Sequence, residues 1–122
     1  MQRNWDTIRR ILIATEELPP GKALTRTSFP KEQAYEIAYH VEILSEAGII
    51  HSALSNELGG GIPHFHVWRL TWEGHELLDS IKNDSIWQKT KSFIADKGGS
   101  MTFDVVKGVA VQLSKIAIGT VA

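Results

Sequence analysis

"RLTWEGHELLD", residues 69–79, is the stretch on which the reading of this chain turns. Arg69 and Leu70 close an alternating run, HFHVWRL, that reads as a strand. Thr71 is a residue that caps helices, and Leu77, Leu78 and Ile81 follow at helical spacing, so a helix is expected from 72 to about 82. Gly74 removes a side chain where that helix must pass close to the preceding hairpin. The same letters also approximate the H-E-x-x-H helix of zinc proteases. His75 and Asp79 lie four apart on one helical face with Glu76 placed as a general base. His64 and His66 alternate along the strand upstream, about 7 Å apart by strand rise. Context opposes the metal reading. A zincin motif sits within a long helix, whereas His75 falls in the first turn, and Asp79 stands where the second histidine belongs. A local contact between His75 and Asp79, four apart on one helix, explains their spacing more simply. The set His64, His66, His75 and Asp79 is therefore kept as a minority metal site. No catalytic residue and no cofactor is expected.

Working upstream, IIHSALS reads as a partner strand and NELGGG as a turn, which makes 49–70 a hairpin. Gly59-Gly60-Gly61 at its tip is explained by turn geometry without a phosphate cradle. Before it, KEQAYEIAYHVEILSEAG carries a helical stripe of Ala34, Ile37, Ala38, Val41 and Leu44, entered near Pro30. Gly48 suits the left-handed position that ends such a helix. The first helix places Trp5, Ile8, Ile11, Leu12, Thr15 and Leu18 on one side and ends at Pro19-Pro20-Gly21. KALTRTSFP between the two helices reads either as a short strand or as an irregular connection. Downstream, Ser85-x-x-Gln88 has the form of a capping box opening a helix with Ile86, Trp87, Thr90, Phe93 and Ile94 on one side. Gly98-Gly99 breaks it. A last helix from Thr102 to about Ile118 shows a wide apolar face of Phe103, Val106, Val109, Ala110, Leu113, Ile116 and Ala117. Trp68, Trp72 and Trp87 are expected in the core, with Trp5 packing the first helix.

This order predicts an α+β, mostly helical fold: a winged-helix-like core of helix, helix, hairpin wing and helix, with two further C-terminal helices. The 122 residues are expected to form a single domain, with 1–82 as the core and 83–122 as a helical extension. One piece does not fit, because the short helix that usually precedes a recognition helix has little room between Leu24 and Pro30.

The blocks WDTIRRILIATEE, AYHVEILSEAGII, RLTWEGHELLDSI and IWQKTKSFI, followed by TFDVVKGVA, resemble the "domain of unknown function 2513" family of small bacterial and prophage proteins. The resemblance implies a small cytoplasmic, often phage-associated protein with a winged-helix-like part. It implies no catalytic or binding residues.

Composition narrows the function further. The chain has no cysteine, which excludes disulfides, thiolate zinc and a cysteine nucleophile. The N-terminus lacks the apolar run of a signal peptide, and no stretch of about 18 apolar residues predicts a membrane span. A cytoplasmic location is expected. Net charge is −1, so the whole molecule exerts no strong pull on nucleic acid. Residues 31–57 nevertheless carry five acidic side chains against one basic, between mildly basic flanks.

That distribution bears on DNA binding, the natural use of a winged helix. The helix from 31 to 47 offers Lys31, Gln33, Tyr39 and His40 against Glu32, Glu36, Glu42 and Glu46. Those carboxylates would face a lattice carrying about one negative charge per 1.7 Å. The wing offers His51, His64, His66 and Arg69, where a DNA-reading wing usually shows Lys or Arg. Arg3, Arg9, Arg10 and Arg26 offer weak contact to nucleic acid elsewhere, but the solvated side of the first helix is the simpler reading of them. The expected function is therefore a non-enzymatic binding module acting on another protein, with Glu32, Glu36, Tyr39, His40, Ile43 and Glu46 as its exposed surface. A DNA-binding regulator is the alternative, and a metal-dependent hydrolase using His75, Glu76 and Asp79 a distant third. The 102–118 helix is a candidate for pairing with a second copy.

Overall fold

The computed structural model describes residues 1–55 and 61–119. They form an α+β protein, 61% helical, with five α-helices and one two-stranded antiparallel hairpin among the described residues. Contacts group the chain into two units, Met1–His75 and Glu76–Ala122. The division falls inside the third α-helix.

In the first unit, α1 (Trp5–Glu16) starts at Asn4, whose side chain accepts the Thr7 N–H at 3.1 Å. Its expected side is buried through Trp5, Ile8, Ile11, Leu12 and Thr15, and the Thr15 hydroxyl donates back to the Ile11 carbonyl. Leu18 lies beyond the helix end. The KALTRTSFP connection holds both of its expected characters in small pieces. Leu24 exchanges two backbone hydrogen bonds with Val67, at 2.9 and 3.0 Å, as a single antiparallel bridge. A one-turn 3₁₀ helix follows at Arg26–Ser28, closed by reciprocal bonds between Thr25 and Ser28. A second such turn, Lys31–Gln33, leads into α2 (Ala34–Glu46). The stripe Ala34, Ile37, Ala38, Val41 and Leu44 is buried as its spacing predicts.

Gly48 adopts φ +72°, and the reversal it permits brings the Ile49 N–H onto the Leu44 carbonyl at 2.9 Å. β1 (Ile50–Ser55) then pairs antiparallel with β2 (His64–Leu70). Residues 56–60 of the expected NELGGG turn lie outside the described residues. The α3 helix (Trp72–Ile81) begins at Thr71, whose hydroxyl accepts the Gly74 N–H at 3.0 Å and donates to the Gly48 carbonyl at 2.6 Å. Thr71 thus caps the helix and ties it to the turn that enters the hairpin.

In the second unit, the remainder of α3 buries Leu77, Leu78 and Ile81. α4 (Asp84–Asp96) does not begin at Ser85. Its cap is Asn83, whose side chain accepts the Ile86 N–H at 3.0 Å. Asparagine caps as well as serine does, and Asn83 comes first in the chain, so the Ser85–Gln88 capping box is not used. Ile86, Trp87, Thr90 and Ile94 are buried, but Phe93, expected beside them, is exposed. α5 (Phe103–Ala117) is capped by Thr102 and packs on α4. Of its wide apolar face only Val106 and Ala110 are buried, and Ile116 is exposed along with Val105. Among the described residues, no helix is long and apolar enough to cross a membrane.

Candidate binding surfaces of the first unit

The apolar spacing that buries one side of α2 turns its glutamates outward. Glu32, Tyr35, Glu42 and Glu46 are exposed, with Tyr39 and Ile43 half-buried among them. Numbers 32, 35, 39, 42 and 46 advance by alternate steps of three and four, which defines one ridge along a helix. Two residues assigned to this surface behave differently. Glu36 is half-buried and accepts the Thr7 hydroxyl at 2.7 Å, which ties α2 to α1.

His40 is not a surface residue at all. Its relative exposure is 0%. The Asn4 N–H donates to its Nε2 at 2.8 Å, so that nitrogen carries no proton. Nδ1 must then bear the proton, which it donates to the Glu36 carbonyl at 2.7 Å. The ring is neutral and both nitrogens are satisfied, which is what a buried imidazole requires. Tyr39 packs edge-on against it, 5.4 Å between centroids. Tyr35 was missing from the expected surface, although its spacing of three from Glu32 and four from Tyr39 puts it on the ridge.

The second surface is the outer face of the hairpin. His51 lies opposite Arg69, Ala53 opposite His66, and Ser55 opposite His64. Between His51 and Ser52 the pairing jumps from Arg69 to Val67, which leaves Trp68 as an extra, unpaired residue in β2. Such a bulge breaks the inward–outward alternation, so Trp68 and Arg69 both face out. Trp68 is 50% exposed and stacks on His66 with rings 17° from parallel. Trp72, at the start of α3, is 78% exposed. Both were expected in the core. Of the three tryptophans expected there Trp87 alone is buried, and Trp5, expected to pack the first helix, is buried as well.

The metal-ligand set is not brought together. Among the described residues, no three His, Asp or Glu side chains converge on a point where an ion could sit. His75 turns its Nδ1 toward Glu16, 3.9 Å away, in place of the expected partner Asp79. Glu76 and Asp79 instead line a shallow groove of the second unit, shared with Lys107 and Lys115 of α5. Of the N-terminal arginines, Arg10 stacks on the Phe29 ring at 5.2 Å and donates to Gln33 Oε1 at 2.5 Å.

Comparison with known proteins adds a family. The model of the family described as "Hypothetical protein (DUF2513)" matches residues 2–100. An uncharacterized protein of Haemophilus influenzae is 36% identical over 115 residues, covering 90% of this chain and 92% of the relative. No solved structure matches.

Proposed function

The chain belongs to the DUF2513 family of hypothetical proteins, and we propose that it is a non-enzymatic, winged-helix-like module that binds another protein through the α2 ridge. The order of elements in the first unit supports the winged-helix part. In support, the Leu24 bridge is consistent with the short first strand of such a fold, and the Arg26–Ser28 turn with its short helix between Leu24 and Pro30. In this reading α2 is the recognition helix.

One observation carries the binding mode: the ridge that runs from the Lys31–Gln33 turn along α2 exposes the carboxylates Glu32, Glu42 and Glu46, with Tyr35 and the half-buried Tyr39 between them. Glu32, Glu42 and Glu46 repel a phosphate lattice and suit a basic protein surface. Tyr35 and Tyr39 bring large apolar area with few rotatable bonds, the character of residues that dominate protein interfaces. A cytoplasmic setting is part of the same proposal.

The test is a fluorescence-anisotropy titration with random-sequence duplex DNA across a range of salt. Binding no tighter than about 10⁻⁴ M is expected, the weak end of non-specific association. Tight binding with a steep salt slope would sink the protein-binding reading in favour of a DNA-binding regulator. The hairpin face, with Trp68, Arg69 and three histidines outward, is the observation that keeps that alternative open.

Self-association through α5 is the second part of the proposal. Val105 and Ile116 stay exposed, and a groove of about 390 Å³ lined by Phe93, Gly108, Val109, Leu113 and Ile116 runs between α4 and α5. Sedimentation velocity should show a dimer that Ile116→Glu converts to monomer. A wild-type protein that stays monomeric at high concentration contradicts it.

A further inference from the structure

We propose that the cleft between the Arg26–Ser28 turn and the start of α2 binds a small apolar carboxylate, an anionic head on an aliphatic or aromatic body. The cleft encloses about 440 Å³ and is lined by Arg26, Thr27, Phe29, Lys31, Ala34 and Ile62. That volume falls within the range of small-molecule pockets, roughly 300–1,000 Å³. Its lining has two chemical parts. Phe29, Ala34 and Ile62 form an apolar wall, while the charged side chains among the described lining residues, Arg26 and Lys31, are both cationic. A neutral apolar ligand would leave those cations unanswered, and a bare inorganic anion would leave the wall in water. A carboxylate with an apolar body satisfies both.

The parts are held in place before any ligand arrives. Reciprocal bonds between Thr25 and Ser28 fix the turn that carries Arg26. The Arg26 guanidinium is tethered by one donor, Nη1, to the Ile62 carbonyl at 3.2 Å. A guanidinium has five N–H donors in a planar fork, so one tether leaves the geometry that meets a carboxylate with two parallel bonds. Phe29 is stacked by Arg10, and Arg10 is itself tied to Gln33, so the aromatic wall is braced as well. The Lys31–Gln33 turn that runs into α2 has no side-chain cap at Pro30, and none comes from Gln33.

The experiment is isothermal titration of the full chain with octanoate, octanamide and acetate. Octanoate should bind, with its amide resonance shifts confined to residues 26–34 and Ile62. Octanamide should bind at least about tenfold more weakly, the loss expected when a charge-assisted pair is replaced by a neutral one. Acetate should show no measurable binding. The double variant Arg26→Gln, Lys31→Gln should lose octanoate affinity by about tenfold or more with an unchanged circular dichroism spectrum, and Arg26→Lys alone should retain part of it. The proposal is overturned if octanamide matches octanoate, if the double variant binds octanoate as the wild type does, or if octanoate does not bind at millimolar concentration. A failure here leaves the α2 ridge untouched, because the duplex titration reads a different surface.

Discussion

Gly74→Ala is expected to destabilise the protein by about 3 kcal/mol, the upper end of what overpacking costs. A Cβ built at Gly74 would stand 2.1 Å from the Ile49 carbonyl oxygen and 3.2 Å from Leu70 Cβ. The oxygen cannot retreat cheaply, because it accepts the Thr71 N–H at 3.0 Å. Nor can the first turn of α3 lift away without breaking the Thr71 hydroxyl bonds that join it to Gly48. Helix propensity pulls the other way, since alanine is favoured over glycine in a helix interior by about 1 kcal/mol. The sign of the change therefore decides. Urea denaturation should show a lower midpoint with the slope unchanged, and a stabilised variant would mean that helix and strand do not approach as closely as described. Gly108→Ala in α5 is the matched control. A Cβ there meets nothing within 4 Å, so about 1 kcal/mol of stabilisation is expected.

His40→Ala should cost about 3 kcal/mol, from a cavity plus two abandoned hydrogen bonds. The ring is fully enclosed, and its loss removes the partner of the Asn4 N–H at the start of α1 and the second, side-chain bond to the Glu36 carbonyl, which keeps its helical bond within α2. Since Asn4 also caps α1 through its side chain, the damage should be read in both helices. A recognition residue behaves otherwise, losing binding while stability holds. Thermal unfolding of His40→Ala beside Glu42→Ala separates the two roles, with a large fall in Tm for the first and little change for the second. Equal, small shifts for both would contradict the buried, bridging role.

Where a residue answers to its chain neighbours, the sequence foretold the structure. The stripe of α1, the left-handed Gly48, the Thr71 cap and the need for Gly74 all follow from period, capping chemistry and missing side chains within a few positions. Legibility failed where the deciding partner is remote. His40 looks like an exposed polar residue until the Asn4 amide, 36 positions earlier, is seen to meet its ring. Trp68 and Trp72 look like core anchors because tryptophan usually is one. A single extra residue in β2 reverses that for Trp68, and no local pattern announces a bulge. Asn83 and Ser85 are equally good caps, and composition does not choose between them. Half of the α2 ridge was legible as acidic character, and Tyr35 could have been added from spacing alone. The Arg26–Lys31 cleft was not legible, because it needs Ile62 from the far side of the hairpin.

The Leu24 bridge has a consequence for the order in which the first unit assembles. Leu24 leaves the N-terminal helix early in the chain, yet both of its backbone groups are answered by Val67, on the later strand of the hairpin. Contacts between positions so far apart must wait for the loop between them to close, and such closures slow folding. α1, α2 and the small turns between them can wind locally, but the bridge at Leu24 forms only once β2 has been made. The early part of the first unit is thus held by its later strand. A chain cut short before residue 67 would carry both helices without the strand that fixes the path between them.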